Sequence, residues 1–173
     1  DKSKSQGGSK PNQSTSQEAK EARIIGAAIF KRDKLVGSLD IYESQVLQLL
    51  TGNFREAFLS IPDPNQKDSS IIFRLLGTLP PSINYHRQGQ NDLFEVRIKL
   101  EADIVSIQSG INYTTPTKEA MLSSIISARL KQRIVRIIRK VQKEYQSDIF
   151  GFGIRVRNTT LTTAAWDNYH WPE

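Results

Sequence analysis

Hydrophobic and polar residues alternate most regularly between Phe94 and Ile104. Phe94, Val96, Ile98, Leu100, Ala102 and Ile104 are interleaved with Glu95, Arg97, Lys99, Glu101 and Asp103. A period of two with one apolar and one charged face predicts a strand buried on one side. A parallel sheet covered on both faces would not carry five charges there, so the sheet is expected to be antiparallel. From Thr117 to Gln146 the period changes to that of a helix. Leu122, Ile126, Leu130, Ile134, Ile137, Val141 and Tyr145 form one apolar stripe, broadened by Met121, Ile125 and Ile138. Pro116 stands where a helix begins, since a missing N–H costs little there. Such a helix would be about 45 Å long and could cross a whole sheet.

The rest of the chain reads in shorter pieces. Ile24–Lys31 and Leu35–Leu39 flank the polar turn Arg32–Asp33–Lys34, which predicts a hairpin. Asp40 is placed to cap a helix over Val46, Leu47, Leu49 and Leu50, with Gly52 as its stop. Phe54–Ile61 and Ile71–Leu79 are expected strands around the loop 62–70, and Pro80–Pro81 interrupts the sheet before Ile83, Tyr85 and Arg87 resume it. Asp148 is a candidate cap for a second helix from about Ile149. After an interruption at 158–160, a third short helix is expected over Leu161–Tyr169. The fold class is therefore α+β: an antiparallel β-sheet with one long α-helix and shorter helices packed on one face.

Residues 1–21 hold serine and glycine but no Val, Ile, Leu or aromatic residue. That composition buries too little apolar surface to offset chain entropy, so 1–21 is expected to be a flexible linker and 22–173 the folded domain. The absence of cysteine excludes disulfides, thiolate metal sites and cysteine nucleophiles. No apolar run approaches the roughly 18–20 residues that span a bilayer. The chain opens directly on polar linker with no signal peptide ahead of it, as expected of a fragment of a longer protein.

Charge changes the picture more than composition does. The net charge is +6, yet residues 118–157 carry ten Lys and Arg against three acids. The basicity therefore belongs to one element. Arg129, Arg133, Arg136, Lys140 and Lys143 recur at steps of four and three and share a helix face away from the apolar stripe. A solvated face accounts for them without a partner. Their shared sign also suits an acidic partner or anionic lipid, which attracts each cation near its surface by about 1 kcal/mol. Nucleic acid fits less well, because no aromatic residues interleave with these cations as stacking requires.

Candidate catalytic chemistry is sparse. His86 and His170 are the two histidines, and neither has a second ligand at metal spacing. Asp63, Asp68 and Asp92 lie in turns, where Asp bonds local backbone. A hydrolase with paired carboxylates has no feature in its favour. Gly151–Phe152–Gly153 lacks the third glycine and the preceding strand of a dinucleotide loop. Close backbone packing around a core plug of Phe150 and Phe152 is the expected role. Trp166, Tyr169 and Trp171 form an aromatic cluster suited either to packing or to an interface.

The segment Ser147–Asp148–Ile149–Phe150–Gly151–Phe152–Gly153, following a long basic helix and preceding Trp166 and Trp171–Pro172, resembles the signature of the Ger(x)C family. These proteins are the lipoprotein C subunits of the nutrient receptors of bacterial spores. The opening 26–37 resembles the family's first hairpin, and Glu43 falls where a glutamate is common. The resemblance covers about Ile24 to Pro172 and implies a C-terminal receptor domain without enzymatic activity or cofactor. It implies contacts with a membrane-embedded subunit and a second receptor subunit. It also implies a location on the outer face of the spore inner membrane, through a lipid anchor that this stretch lacks. Family members usually run on from the Trp–Pro region into a final apolar strand, so one sheet edge is expected to be open. The alternatives are a basic anion-binding module for nucleic acid or acidic polymers and, more weakly, the paired-carboxylate hydrolase.

Overall fold

A computed structural model describes residues 26–89 and 91–157. The expected linker, the third helix, His170 and the tryptophan cluster lie outside the described residues. Among the described residues seven strands and three α-helices follow in the order β1 (Gly26–Lys31), β2 (Lys34–Asp40), α1 (Ile41–Thr51), β3 (Glu56–Pro62), β4 (Ser70–Gly77), β5 (Ser82–Gln88), β6 (Asn91–Arg97), β7 (Leu100–Ile107), α2 (Pro116–Lys140) and α3 (Phe152–Arg157). All pairings are antiparallel. The strands form three small sheets, β1–β2, β3–β4–β7 and β5–β6. The α+β class holds, with α2 lying along the sheets and bridging them.

Each element begins where its residues allow. The Asp40 carboxylate accepts from the Glu43 N–H at 2.8 Å, and Glu43 accepts from the Asp40 N–H at 3.1 Å, a reciprocal cap for α1. Pro116 opens α2. The helix finishes in a single π turn, Val141–Tyr145, closed by the Gln146 N–H on the Val141 carbonyl at 3.0 Å.

Two apolar clusters lie under α2. Near its start, Leu122 and Ile126 pack on Leu59, Ile61, Ile71, Phe73 and Leu75 of the three-stranded sheet. Towards its end, Ile137 and Val141 pack on Ile29, Leu39, Val46, Leu50 and Ile83, which come from the hairpins and α1. The stripe read from the sequence thus serves two separate cores.

The alternating stretch departs from expectation. It is two strands, parted at Ile98 and Lys99, that join different sheets. None of its six apolar residues is fully buried, and Ile104 is 39 % exposed. Among the described residues β7 is the outer strand of its sheet, paired with β4 on one side alone. Its apolar face forms the floor of an open groove under α2.

Candidate functional site

The basic face sits on α2 and its π turn, on the side away from the two cores. Arg129, Arg136 and Lys143 are exposed, as are their neighbours Lys131 and Arg139. The other two expected contact residues are engaged within the molecule. The Arg133 guanidinium lies 5.6 Å from the Tyr42 ring centre. Lys140 Nζ lies 2.7 Å from a Glu43 carboxylate oxygen and 5.7 Å from the Tyr145 ring centre. The hydrogen bond to Glu43, aided by that charge, holds the Lys140 ammonium above its ordinary pKa despite partial burial. Arg133 and Lys140 therefore tie α1 to α2. A shallow depression lined by Ala128, Lys131, Gln132, Val135, Arg136 and Arg139 extends the free basic surface. Lys131 and Arg139 belong to the same run of cations but lie off the four-and-three stripe.

The signature segment turns the chain back into the core. Phe150 and Phe152 are buried with ring centres 5.7 Å apart, and Phe152 stacks on Phe94 at 5.0 Å. The Asp148 carboxylate accepts from the N–H groups of Phe152 at 2.8 Å and Gly153 at 2.7 Å, so it caps α3. That helix starts three residues later than the sequence suggested. Gly151 accounts for the delay. Its φ is +72° and nothing lies within 4 Å of where a Cβ would stand, so a left-handed turn is its role, not close packing. Close packing occurs instead at Gly37, where a Cβ would come within 2.3 Å of the Tyr145 ring.

The sequence reading missed a polar latch on the far side. Asp63, buried after β3, accepts from Ser109 Oγ at 2.6 Å, from the Tyr113 hydroxyl and from the Asn65 N–H at 2.8 Å. Asn65 in turn donates to the Tyr113 oxygen at 3.0 Å. Burial pushes the Asp63 carboxyl up, but these hydrogen bonds, with one from the Gln66 backbone, outweigh it and hold its pKa below the ordinary value. The same burial and the facing carboxylate raise Tyr113. The local Asp63–Asn65 turn was legible; the partners 46 and 50 residues away were not. This carboxylate faces donors and not a second carboxylate, so the latch is structural. Among the described residues no cluster of three His, Cys, Asp or Glu side chains could hold a metal ion. His86 is exposed.

The open groove has a volume of about 1360 Å³. It is floored by Phe73, Leu75, Ala102 and Ile104 and roofed by Leu122, Ile126, Leu130, Ile134 and Ile138. Charged residues, including Lys99, Asp103 and Lys131, line it as well. Among the described residues its lining is mainly apolar, with the charged side chains divided between the β6–β7 stretch and α2.

The family model for the C-terminal region of spore germination B3/GerAC-like proteins matches residues 25–173. The chain belongs to this family. Spore germination protein GerQC of Bacillus cereus is 22 % identical over 152 residues, covering 87 % of this chain and 40 % of that protein. Spore germination protein YndF of Bacillus subtilis (strain 168) is 25 % identical over 148 residues, covering 79 % of this chain and 34 % of its own. The crystal structure of the GerBC protein superposes with a TM-score of 0.67 at 21 % identity, over 85 % of this chain and 45 % of GerBC. This last likeness supports the α+β fold. The chain spans less than half the length of these relatives. Its core plug, Phe150–Phe152, and Glu43 of its reciprocal cap fall on positions whose resemblance pointed to the family.

Proposed function

We propose that the chain is the C-terminal domain of the C subunit of a nutrient germinant receptor. In this reading it acts without catalysis, through contacts with the membrane-embedded subunit and a second receptor subunit. The receptor stands on the outer face of the spore inner membrane, held by a lipid anchor elsewhere in the protein. The observation that carries the reading is the family match across residues 25–173. The surface best suited to the contact is the free part of the basic face, Arg129, Lys131, Arg136, Arg139 and Lys143, which is exposed and has few acids to offset it. Arg133 and Lys140 contribute by holding that face in place. The groove beside β7 is a second surface. Along α2 from Glu119 to Ile138 it extends about 28 Å, which accommodates roughly eight residues of added strand. That suits the final strand the family resemblance implies.

The test is co-purification with the other receptor subunits. Arg129→Glu, Arg136→Glu and Lys143→Glu together reverse only exposed cations, so folding is unaffected and subunit capture is expected to fall at least tenfold. Capture that survives all three reversals would remove the basic face from the contact. A basic module for nucleic acid would instead bind oligonucleotides with steep salt dependence.

A further inference from the structure

The hairpin β1–β2 ends in an arrangement that its own core does not explain. Phe30 and Leu35 are directly paired across the strands, and both are exposed, by 55 % and 63 %. A register shift between Ile29 and Phe30 produces this. Before the shift, Ile29 faces the core at 2 % exposure. Beyond it, Phe30 and Leu35 turn outward as a pair. Single exposed apolar residues are ordinary on a protein surface, but an aromatic and an aliphatic side chain joined at a projecting end are a local apolar point. Around them stand Lys31, Arg32 and Lys34, with Asp33 as the one acid of the turn. All four are exposed.

The point is also held rigidly. Ser147 Oγ donates to the Phe30 carbonyl at 3.1 Å, Lys31 Nζ donates to Gln146 Oε1 at 3.4 Å, and the Tyr145 ring covers Gly37. These contacts fix the hairpin to the end of α2, so its tip and the exposed Arg139 and Lys143 belong to one end of the molecule. An apolar point ringed by cations has the chemistry of a surface that enters the boundary of an anionic bilayer. Headgroup phosphates meet the cations there and offset their lost hydration, while Phe30 and Leu35 pass between them. A protein partner would need an acidic rim around an apolar pocket to match both features at once.

We propose that the β1–β2 tip is a peripheral membrane contact that inserts Phe30 and Leu35 among anionic phospholipids. This goes beyond the receptor reading, since lipid contact at the tip does not depend on which surface meets the other subunits. The absence of cysteine makes the experiment clean. Leu35→Cys and, as a control on α2, Gln132→Cys are each labelled with an environment-sensitive fluorophore. They are mixed with phosphatidylcholine vesicles with and without phosphatidylglycerol. The expected result is a blue shift at position 35 only, and only with phosphatidylglycerol. In unlabelled protein, Phe30→Ser with Leu35→Ser should lower vesicle partitioning at least tenfold, and Arg32→Glu with Lys34→Glu several-fold. These side chains are exposed, so circular dichroism should be unchanged. A label at 35 that stays in water on anionic vesicles overturns the proposal. So does partitioning that is lost only with Arg129→Glu and Arg136→Glu, or a blue shift that requires added receptor subunits and no lipid. Subunit capture, measured separately, tests the receptor reading.

Discussion

The first half of α2 packs on a three-stranded sheet, whereas its second half packs on two hairpins and on α1, which come from distant parts of the chain. The first core is assembled from alternating strands: Ala57, Leu59 and Ile61 of β3 and Ile71, Phe73 and Leu75 of β4 are all buried. Its loops are drawn together by the Asp63 latch, yet one side stays open along β7. The second core has little regular alternation. Phe150 and Phe152, a capping Asp148 and the Lys140–Glu43 pair close it, joining segments up to 97 residues apart. One helix therefore spans a half stabilised by sheet periodicity and a half stabilised by a few long-range anchors. Loss of a single side chain should affect the second half more.

The largest effect is expected at Phe152. Phe152→Ala removes a buried ring that stacks on Phe94 and touches Phe150. The expected cost is about 3–5 kcal/mol. Hydrogen exchange should show lost protection in β5 and β6 while β3 and β4 keep theirs. Equal loss in all four strands would mean that the halves are one cooperative unit and that the division is only geometric.

What was legible in the sequence follows the same division. The β3 and β4 strands, the apolar stripe of α2 and the Asp40 cap depend on neighbours within a few residues, and the local pattern places them. The break at Ile98–Lys99 left no mark, because the alternation runs through it and only the change of sheet reveals it. The open face of β7 was equally hidden: period two says which side chains share a face, not whether anything covers it. At the basic face the spacing cannot separate exposed cations from engaged ones. Arg133 and Lys140 have the same sequence signal as Arg129 and Arg136, and only Tyr42 and Glu43, more than 90 residues away, set them apart. Tyr113 was passed over because its partners lie 48 and 50 residues distant.

A middle-sized effect should separate the two halves by pH. The Asp63 carboxyl titrates lower in the folded protein than in the unfolded chain. Its contribution is therefore complete above the ordinary carboxylate value, about 4, and is lost as pH falls through the lower folded value. Asp63→Asn leaves donors from Ser109 and Tyr113 facing a weaker acceptor, at an expected cost of about 2 kcal/mol at neutral pH. Urea titrations at neutral pH and at pH about 3 should converge for the two proteins as acid removes the wild-type advantage. A gap that stays constant with pH would show that the latch acts by shape and not by charge.

The smallest effect is expected at the open edge, and it reports on that edge most directly. Ile104 faces the groove beside Phe73, with no strand on its outer side among the described residues. In a closed core, lysine at such a position would bury an unpaired charge and unfold the protein. On an open edge its stem can lie along the groove floor while the ammonium reaches water. Ile104→Lys should therefore cost about 0.5 kcal/mol, far less than the same change at Ile71, which is fully buried in the neighbouring strand. A loss at Ile104 as large as that at Ile71 would mean that the groove is covered in solution. The edge of β7 would then be an occupied interface, and the open half of the comparison would have to be redrawn as closed.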